Sequence, residues 1–578
     1  MGVRGLKTFL ENEKQTRTVN IAYEVQQWKR HNPGQTPILV IDFCSLANWV
    51  ARWDKIGNIC GGQNQKVLQN WTHILHDLKN TGCSLVFFCD LKIEENKVVE
   101  ILIRRNYEFN SSTKMYDLID SGMALNDVSK NASTMALQTS FYGLCQISKK
   151  FGKMYYAIER ECDVELANYA TNNNAMAVIS NDTDFLIFAG VWRLWSSQDI
   201  RQIKNKPYKS TRVETIEYDR NAIVKICSLS QHQLPLFATI MGNDITEKKY
   251  RKTLVELHKN VDPTKACKVR NVARIVQRIY ASIDSNTNID IKHITKHIFG
   301  DASDVEEQTI QQSIDSYNID YTPRVIDDPI EKQMMNTNMY SEYMHMLGSI
   351  IEIIIPFYDM RGCDDSSTLS TLMIDWTKRK IGILRHQHKN HTFTLLTKIN
   401  IHEDFRTFAE TPIFPTFKVP SLDQLYFGDV QNYREIATKR WQIFGWIMSL
   451  APKTISIIRN LPKKFQLICT TLFILVTNRL ISIEQADGIL HTEITASSSN
   501  MNTHLTIVLS KHIRAAHLYN IMFAEVGTCF SIAGLFSGIQ NVTQFDGVRF
   551  QRTMVMVDQT KSAAFIIPKK QLRIYKNI

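Results

Sequence analysis

Seven acidic residues in the first half of the chain stand in frames that suit metal-assisted hydrolysis. Asp42 ends the run Val40-Ile41-Asp42, and Asp90 ends Val86-Phe87-Phe88-Cys89-Asp90. Asp182 and Asp184 follow an apolar run in Ser180-Asn181-Asp182-Thr183-Asp184. Glu161 and Asp163 form a pair one residue apart, and Asp244 closes Met241-Gly242-Asn243-Asp244. A buried strand that stops at a carboxylate puts that carboxylate at the rim of a sheet, where open α/β folds keep their ligand sites. Carboxylates gathered at one rim repel each other and raise each other's pKa values. Divalent cations seated between them remove that penalty, and phosphodiester hydrolysis is the usual chemistry of a two-metal carboxylate site.

The elements that must place these acids alternate along the chain. Residues 37–42, 84–89, 155–158 and 175–180 read as strands, and 45–53, 97–105, 133–151 and 164–170 read as helices. Residues 67–80 form the clearest helix, because Val67, Leu68, Trp71, Ile74, Leu75 and Leu78 recur at helical spacing. Strand, helix, strand in this order predicts a parallel sheet with right-handed crossovers and the acids at its carboxyl edge. Residues 106–131 are polar and turn-rich and read as a mobile loop or a partly helical arm. From about residue 260 to 345 the chain is rich in Asn and Asp, with Asp284-Ser285-Asn286-Thr287-Asn288 as a loop signal. Beyond that, amphipathic helices are expected, for instance over 434–448 and 464–479.

Composition narrows the class. A length of 578 residues fits roughly two to four domains. A net charge of +11 favours a polyanionic partner. The 11 cysteines are odd in number and form no Cys-x-x-Cys pair, which suits buried, reduced thiols in the cytoplasm or nucleus. The first residues lack the apolar core of a secretory signal. The apolar stretches 349–357 and 465–476 fall short of the roughly 20 residues that span a bilayer, so they read as core elements and no membrane association is expected.

The opening Met1-Gly2-Val3-Arg4-Gly5-Leu6 resembles the start of the XPG/flap-endonuclease superfamily, whose members begin Met-Gly-(Ile/Val)-x-Gly-Leu. The acid frames then match that superfamily in order: Asp42 and Asp90 at strand ends, Glu161 with Asp163, Asp182 with Asp184 at the family's own interval from Glu161, and Asp244 in its Leu-Gly-x-Asp frame. Lys97 and Arg104 match the basic residues at the base of the family's helical arch. The resemblance covers roughly residues 1–250. The stretch from Val178 to Leu186, with its Ser-Asn-Asp-Thr-Asp-Phe, and Leu234-Pro235-Leu236-Phe237 are similar to the Asteroid branch. Two features depart from the DNA flap nucleases. Ile245-Thr246-Glu247-Lys248 after Asp244 lacks the glycine-rich duplex-gripping motif, and the last residues lack a sliding-clamp peptide.

The resemblance implies an α/β, PIN-like parallel sheet flanked by helices (the XPG N and I regions) over residues 1–260. A polar linker or helical extension would cover 261–345, and a mainly α-helical domain 346–578. It implies two Mg²⁺ or Mn²⁺ ions about 4 Å apart, one held by Asp42, Asp90, Glu161 and Asp163 and the other by Asp182, Asp184 and Asp244. Lys97 and Arg104 would neutralise charge on the scissile phosphate, with Gly2 near the site. The substrate would be RNA or single-stranded or structured DNA, and the helical C-terminal region would be free to take a protein partner. The alternative is a catalytically silent RNA-binding or scaffold protein of the Asteroid type, although all seven acids are retained.

Bland readings stand beside these. A lone aspartate after a strand is ordinarily a turn or helix-capping residue, which fits seven acids in one family order poorly. Lys97 and Arg104 share a helix face that solvation alone would explain. The basic run 201–212, with Lys204, Lys206 and Lys209, reads as a solvated hairpin loop or as a track for a nucleic-acid backbone. Glu165, one turn beyond Glu161, reads as a solvated helix residue. His386, His388 and His391 lack the acid or cysteine that a metal site would add.

Overall fold

The computed structural model describes residues 2–560 apart from 92, 132–137, 206–209, 260–266, 283–289, 302, 321, 325, 336, 338, 354–367, 387–391, 400–402, 429–432, 495–504, 506–507 and 536–542. His388, His391, Lys206 and Lys209 therefore lie outside the described residues. The chain divides into two units. One comprises Met1–Trp49, His73–Glu100 and Ser148–Arg324; the other Val50–Thr72, Ile101–Ile147 and Val325–Ile578.

The first unit is built on an eight-stranded mixed sheet. Its strands are β1 (Thr16–Asn20), β2 (Ile38–Asp42), β3 (Ser84–Asp90), β4 (Gly152–Ala157), β5 (Ala177–Ser180), β6 (Arg193–Ser196), β7 (Arg201–Asn205) and β8 (Ser210–Tyr218). They run in the order β1-β8-β6-β5-β2-β3-β4, with β7 paired to β8. The five strands from β6 to β4 are parallel. β8 joins β6 antiparallel, and β1 and β7 flank β8 antiparallel. β2 is central, with both faces covered, so its sequence is apolar throughout rather than alternating; Leu39, Val40 and Ile41 have no exposure. Its register sets Asp42 beside Phe88 of β3 and Ile41 beside Ile179 of β5. The helix Cys162–Asn172 packs across β2, β3 and β4.

The stretch that looks most like a linker is largely helical. Lys268–Ala281, Ile291–Phe299 and Asp304–Asp315 are helices of the first unit. Lys268–Ala281 turns Val269, Val272, Val276 and Ile279 into the same core as Leu6, Leu10, Leu236 and Phe237. The interval 106–131 is an arm of two helices rather than a loop. Val98–Asp120 runs through most of it, and Leu125–Asn131 follows. The described parts of the basic run 201–212 belong to β7 and β8, which pair antiparallel.

The second unit is mainly helical around a small sheet of β9 (Ile350–Glu352), β10 (Phe393–Thr397) and β11 (Arg406–Glu410). β9 pairs parallel and β11 antiparallel with β10. The helix Ser510–Ile532 is its spine and packs on Thr368–Leu384 and Lys463–Thr477. Inside it, the fully buried Lys380 pairs with Glu525, and buried Glu493 accepts the Tyr519 hydroxyl at 2.7 Å. Among the described residues, no helix is long and apolar enough to cross a membrane.

Candidate metal centre

β2 and β5 lie side by side where the chain changes direction across the sheet. β3 and β4 extend to one side of β2, and β5 and β6 to the other. Such a switch point opens a crevice at the carboxyl ends of the strands. Asp42 stands at its lip. Its Oδ1 accepts the Ser45 N–H at 3.0 Å, and its Oδ2 accepts the Ser180 hydroxyl at 2.7 Å. Ser180 Oγ in turn accepts the Asp182 N–H at 3.0 Å. Asp182 caps the 3-10 turn Thr183–Leu186, accepting the Asp184 N–H at 3.0 Å. The loop after this turn is clamped by Arg220. Its guanidinium donates to the carbonyls of Phe185 (3.0 Å), Phe188, Gly190 and Trp192 and lies 3.6 Å over the Trp192 ring.

The remaining acids come from helix termini and turns. Glu161 is the N-cap of Cys162–Asn172, and Asp163 lies in its first turn, where the helix dipole favours negative charge. Lys97 ends the short turn Glu95–Lys97 and donates to Glu161 Oε2 at 2.7 Å. Asp244 follows the helix Leu234–Met241, which stops at Gly242 with φ +93°. That positive φ is what favours glycine there, since the Glu247 carboxylate that a Cβ would meet at 2.3 Å is the movable end of its side chain. The N-terminal segment completes the wall. Thr183 Oγ1 donates to the Val3 carbonyl at 3.1 Å, and a Cβ on Gly2, whose φ is +58°, would stand 2.1 Å from Asp182 Oδ1.

All seven acids share one field. Carboxylate oxygens of Asp163, Asp182 and Asp184 lie within 4.8 Å of one another. Burial pushes Asp163 and Asp184 well above the usual carboxylate range; Asp182 adds to this at both, Asp42 at Asp163 and Asp244 at Asp184. Burial also raises Asp42, Glu161 and Asp244. Asp182 adds to the rise at Asp42 and Asp244, while Lys97 opposes it at Glu161 and Asp244. Asp90 reaches solvent at its outer edge, but surrounding protein desolvates it, and its carboxyl is pushed up to about 6, with Lys97 opposing and Asp42 and Glu161 adding. Asp182 alone of the seven is lowered: burial works against this, and the Asp184 N–H and Lys97 work for it. Lys97 is held protonated against burial by Glu161, Asp163 and Asp244.

These donors fit Mg²⁺ or Mn²⁺. They are hard carboxylate oxygens, crowded and destabilised as anions, which is the environment a divalent cation relieves. The nearby thiols do not compete. Cys44 is raised well above its usual value by its hydrogen bond with Cys89 and then by burial, and Cys162 chiefly by burial, so both stay protonated.

Arg104 is exposed on the part of Val98–Asp120 that belongs to the second unit. Lys204 lies on β7 in the first unit. Glu165 is not a solvated helix residue. It is buried and accepts the N–H groups of Glu159 and Arg160 at 3.0 and 2.9 Å, holding the loop that presents Glu161. Ser45, Ser180, Asn243 and Tyr317 carried no functional expectation from the sequence. Ser180 and Asn243 adjoin the acid frames and were open to view there. Tyr317, whose hydroxyl donates to Asp184 Oδ1 at 2.8 Å, carries no local signal.

A family model described as a FAM120A-like domain matches residues 227–320. The chain is similar to the constitutive coactivator of peroxisome proliferator-activated receptor gamma of Bos taurus, 26% identical over 260 residues, covering 42% of this chain and 33% of that protein. The chain thus spans about a third of the length of the curated relative it matches. Among solved structures, the catalytic core of Rad2 with a DNA substrate matches at 15% identity over 58% of this chain and 93% of that one, with a TM-score of 0.30. Human GEN1 in complex with Holliday junction DNA matches at 12% identity over 73% of this chain and 90% of that one, with a TM-score of 0.28.

Proposed function

We propose that the first unit is a Mg²⁺- or Mn²⁺-dependent nuclease that hydrolyses phosphodiester bonds in RNA or in single-stranded or structured DNA. Asp42, Asp90, Glu161 and Asp163 would hold one ion, and Asp182, Asp184 and Asp244 the other. The bound ions would supply an activated water and stabilise the leaving oxygen. The chain's own residues do the rest. Ser45 and Ser180 fix both oxygens of Asp42. Arg220 holds the loop after Asp184. Lys97, now paired with Glu161, is the cation that would turn to a phosphate oxygen and neutralise developing charge. Arg104, Lys204, Lys206 and Lys209 remain candidates for contacting the nucleic-acid backbone, and the helical second unit for a protein partner.

The observation that carries this reading is that carboxylate oxygens of Asp163, Asp182 and Asp184 lie within 4.8 Å of one another, with Asp182 raising the pKa values of the other two and Lys97 held protonated by Glu161, Asp163 and Asp244. The test is cleavage of labelled single-stranded RNA, single-stranded DNA and 5′-flap DNA with Mn²⁺ or Mg²⁺ against EDTA. Asp182→Ala or Asp184→Ala should abolish cleavage and leave binding. Cleavage that survives both changes would refute the assignment. A second reading, a silent nucleic-acid-binding scaffold, is favoured by the similarity to a protein named as a coactivator. It predicts binding without cleavage in every metal.

A further inference from the structure

We infer that Tyr317 is a positioning residue of the carboxylate centre, fixing Asp184 for metal through its hydroxyl while Asn243 couples it to the turn that bears Asp244. The inference rests on the proposed reading of the centre as a Mg²⁺ or Mn²⁺ site. Tyr317 is 6% exposed, and its ring packs on Phe188 with centroids 5.5 Å apart. Its hydroxyl lies 2.8 Å from Asp184 Oδ1 and accepts the Asn243 Nδ2–H at 3.3 Å. Because Asn243 supplies a proton to the phenolic oxygen, the phenol's own proton is left to point at Asp184.

Asn243 works in two directions. Its Oδ1 accepts the N–H groups of Ile245 and Thr246, both at 3.1 Å, and so shapes the turn around Asp244. Its Nδ2 also reaches Ser313 Oγ at 2.8 Å, and Ser313 is bonded to Thr239 Oγ1 at 2.7 Å. One buried polar network therefore holds two of the proposed ligands, Asp184 and Asp244, in fixed relation. Partners of this kind orient ligating carboxylates, and their loss typically weakens metal binding by about 10–100-fold. A tyrosine serving the core alone would need only a carbonyl or water at its hydroxyl. Here the hydroxyl's one proton is directed at a proposed metal ligand.

Tyr317→Phe isolates the contact. It keeps the ring against Phe188 and leaves one Asn243 N–H on Ser313, while the N–H that met the phenol oxygen loses its acceptor, a stability cost that the unfolding midpoint reads separately from metal affinity. Mn²⁺ binding to the full chain, read by electron paramagnetic resonance, is measured for the wild type, Tyr317→Phe and Asp184→Asn, with the unfolding midpoint in EDTA as control. The expected result is at least about tenfold weaker binding of one ion in Tyr317→Phe, a lowered midpoint that still leaves the protein folded under the binding conditions, and loss of that ion in Asp184→Asn. A wild type that binds no Mn²⁺, or an Asp184→Asn protein that binds like it, defeats the metal reading itself. Normal behaviour of those two with Tyr317→Phe within about twofold of the wild type overturns this inference alone. Should the phenylalanine variant unfold, Tyr317→3-fluorotyrosine keeps the hydroxyl. A fluorine shift that moves with Mg²⁺ in the wild-type background and not with Asp184→Asn supports the contact, and one that stays still overturns it.

Discussion

Replacing Asp90 by Asn should stabilise the metal-free protein and destabilise the manganese-loaded one. Although Asp90 is exposed at the end of β3, protein crowding its carboxyl pushes it up to about 6 by desolvation, with Asp42 and Glu161 adding and Lys97 opposing. A rise from 3.8 to about 6 corresponds to about 3 kcal/mol at about 1.4 kcal/mol per pH unit. The outer edge of Asp90 meets solvent, and screening there reduces the effect to about 1 kcal/mol. A carboxyl whose folded value lies above its unfolded one binds more protons when folded. The stability it contributes is complete below its unfolded value and is lost as pH rises through its folded value. In EDTA, Asp90→Asn should therefore match the wild type near about pH 4 and exceed it by about 1 kcal/mol near about pH 8. Manganese reverses the order, because an ion that binds only the folded state adds about 2.7 kcal/mol at a hundredfold excess over its Kd, and Asn supplies a weaker ligand. Urea unfolding followed by tryptophan fluorescence reads both, since Trp192 and Trp195 are buried in the first unit. An Asp90→Asn protein no more stable than the wild type in EDTA near about pH 8, or manganese stabilising both alike, would refute the reasoning.

Two further outcomes are expected. Lys97→Ala should lower kcat by about a hundredfold or more with little change in KM on the substrate that is cleaved; a change confined to KM would make Lys97 a binding residue only. Gly2→Ala should weaken Mn²⁺ binding and cost at least about 1 kcal/mol of stability, because its Cβ would stand 2.1 Å from Asp182 Oδ1 on a backbone with φ +58°; unchanged Mn²⁺ affinity would separate the N-terminal segment from the centre.

The parallel core of the sheet was open to view in the chain because β2, β3 and β5 are short apolar runs that stop at polar residues. The antiparallel edge was not. β8 interleaves Arg212, Glu214 and Glu217 with Val213 and Ile216, and its charges drew attention to solvation and away from pairing. The helix Lys268–Ala281 was available from the apolar spacing of Val269, Val272, Val276 and Ile279, but the Asn-rich segment beside it dominated the composition. β9 is three residues long and its partner β10 lies some forty residues on, a pairing that local pattern does not reach. Glu165 was misjudged because helical position alone does not tell which loop amides a carboxylate will meet. Tyr317 stands far in sequence from Asp184, and only the fold brings its hydroxyl there.

The most direct test of the central claim is anomalous diffraction at the manganese edge from crystals grown with Mn²⁺. The account predicts manganese peaks coordinated by carboxylate oxygens of Asp163, Asp182 and Asp184, and loss of the peak at Asp184 in Asp184→Ala crystals. Well-ordered crystals with the seven acids in place and no manganese among them would contradict it.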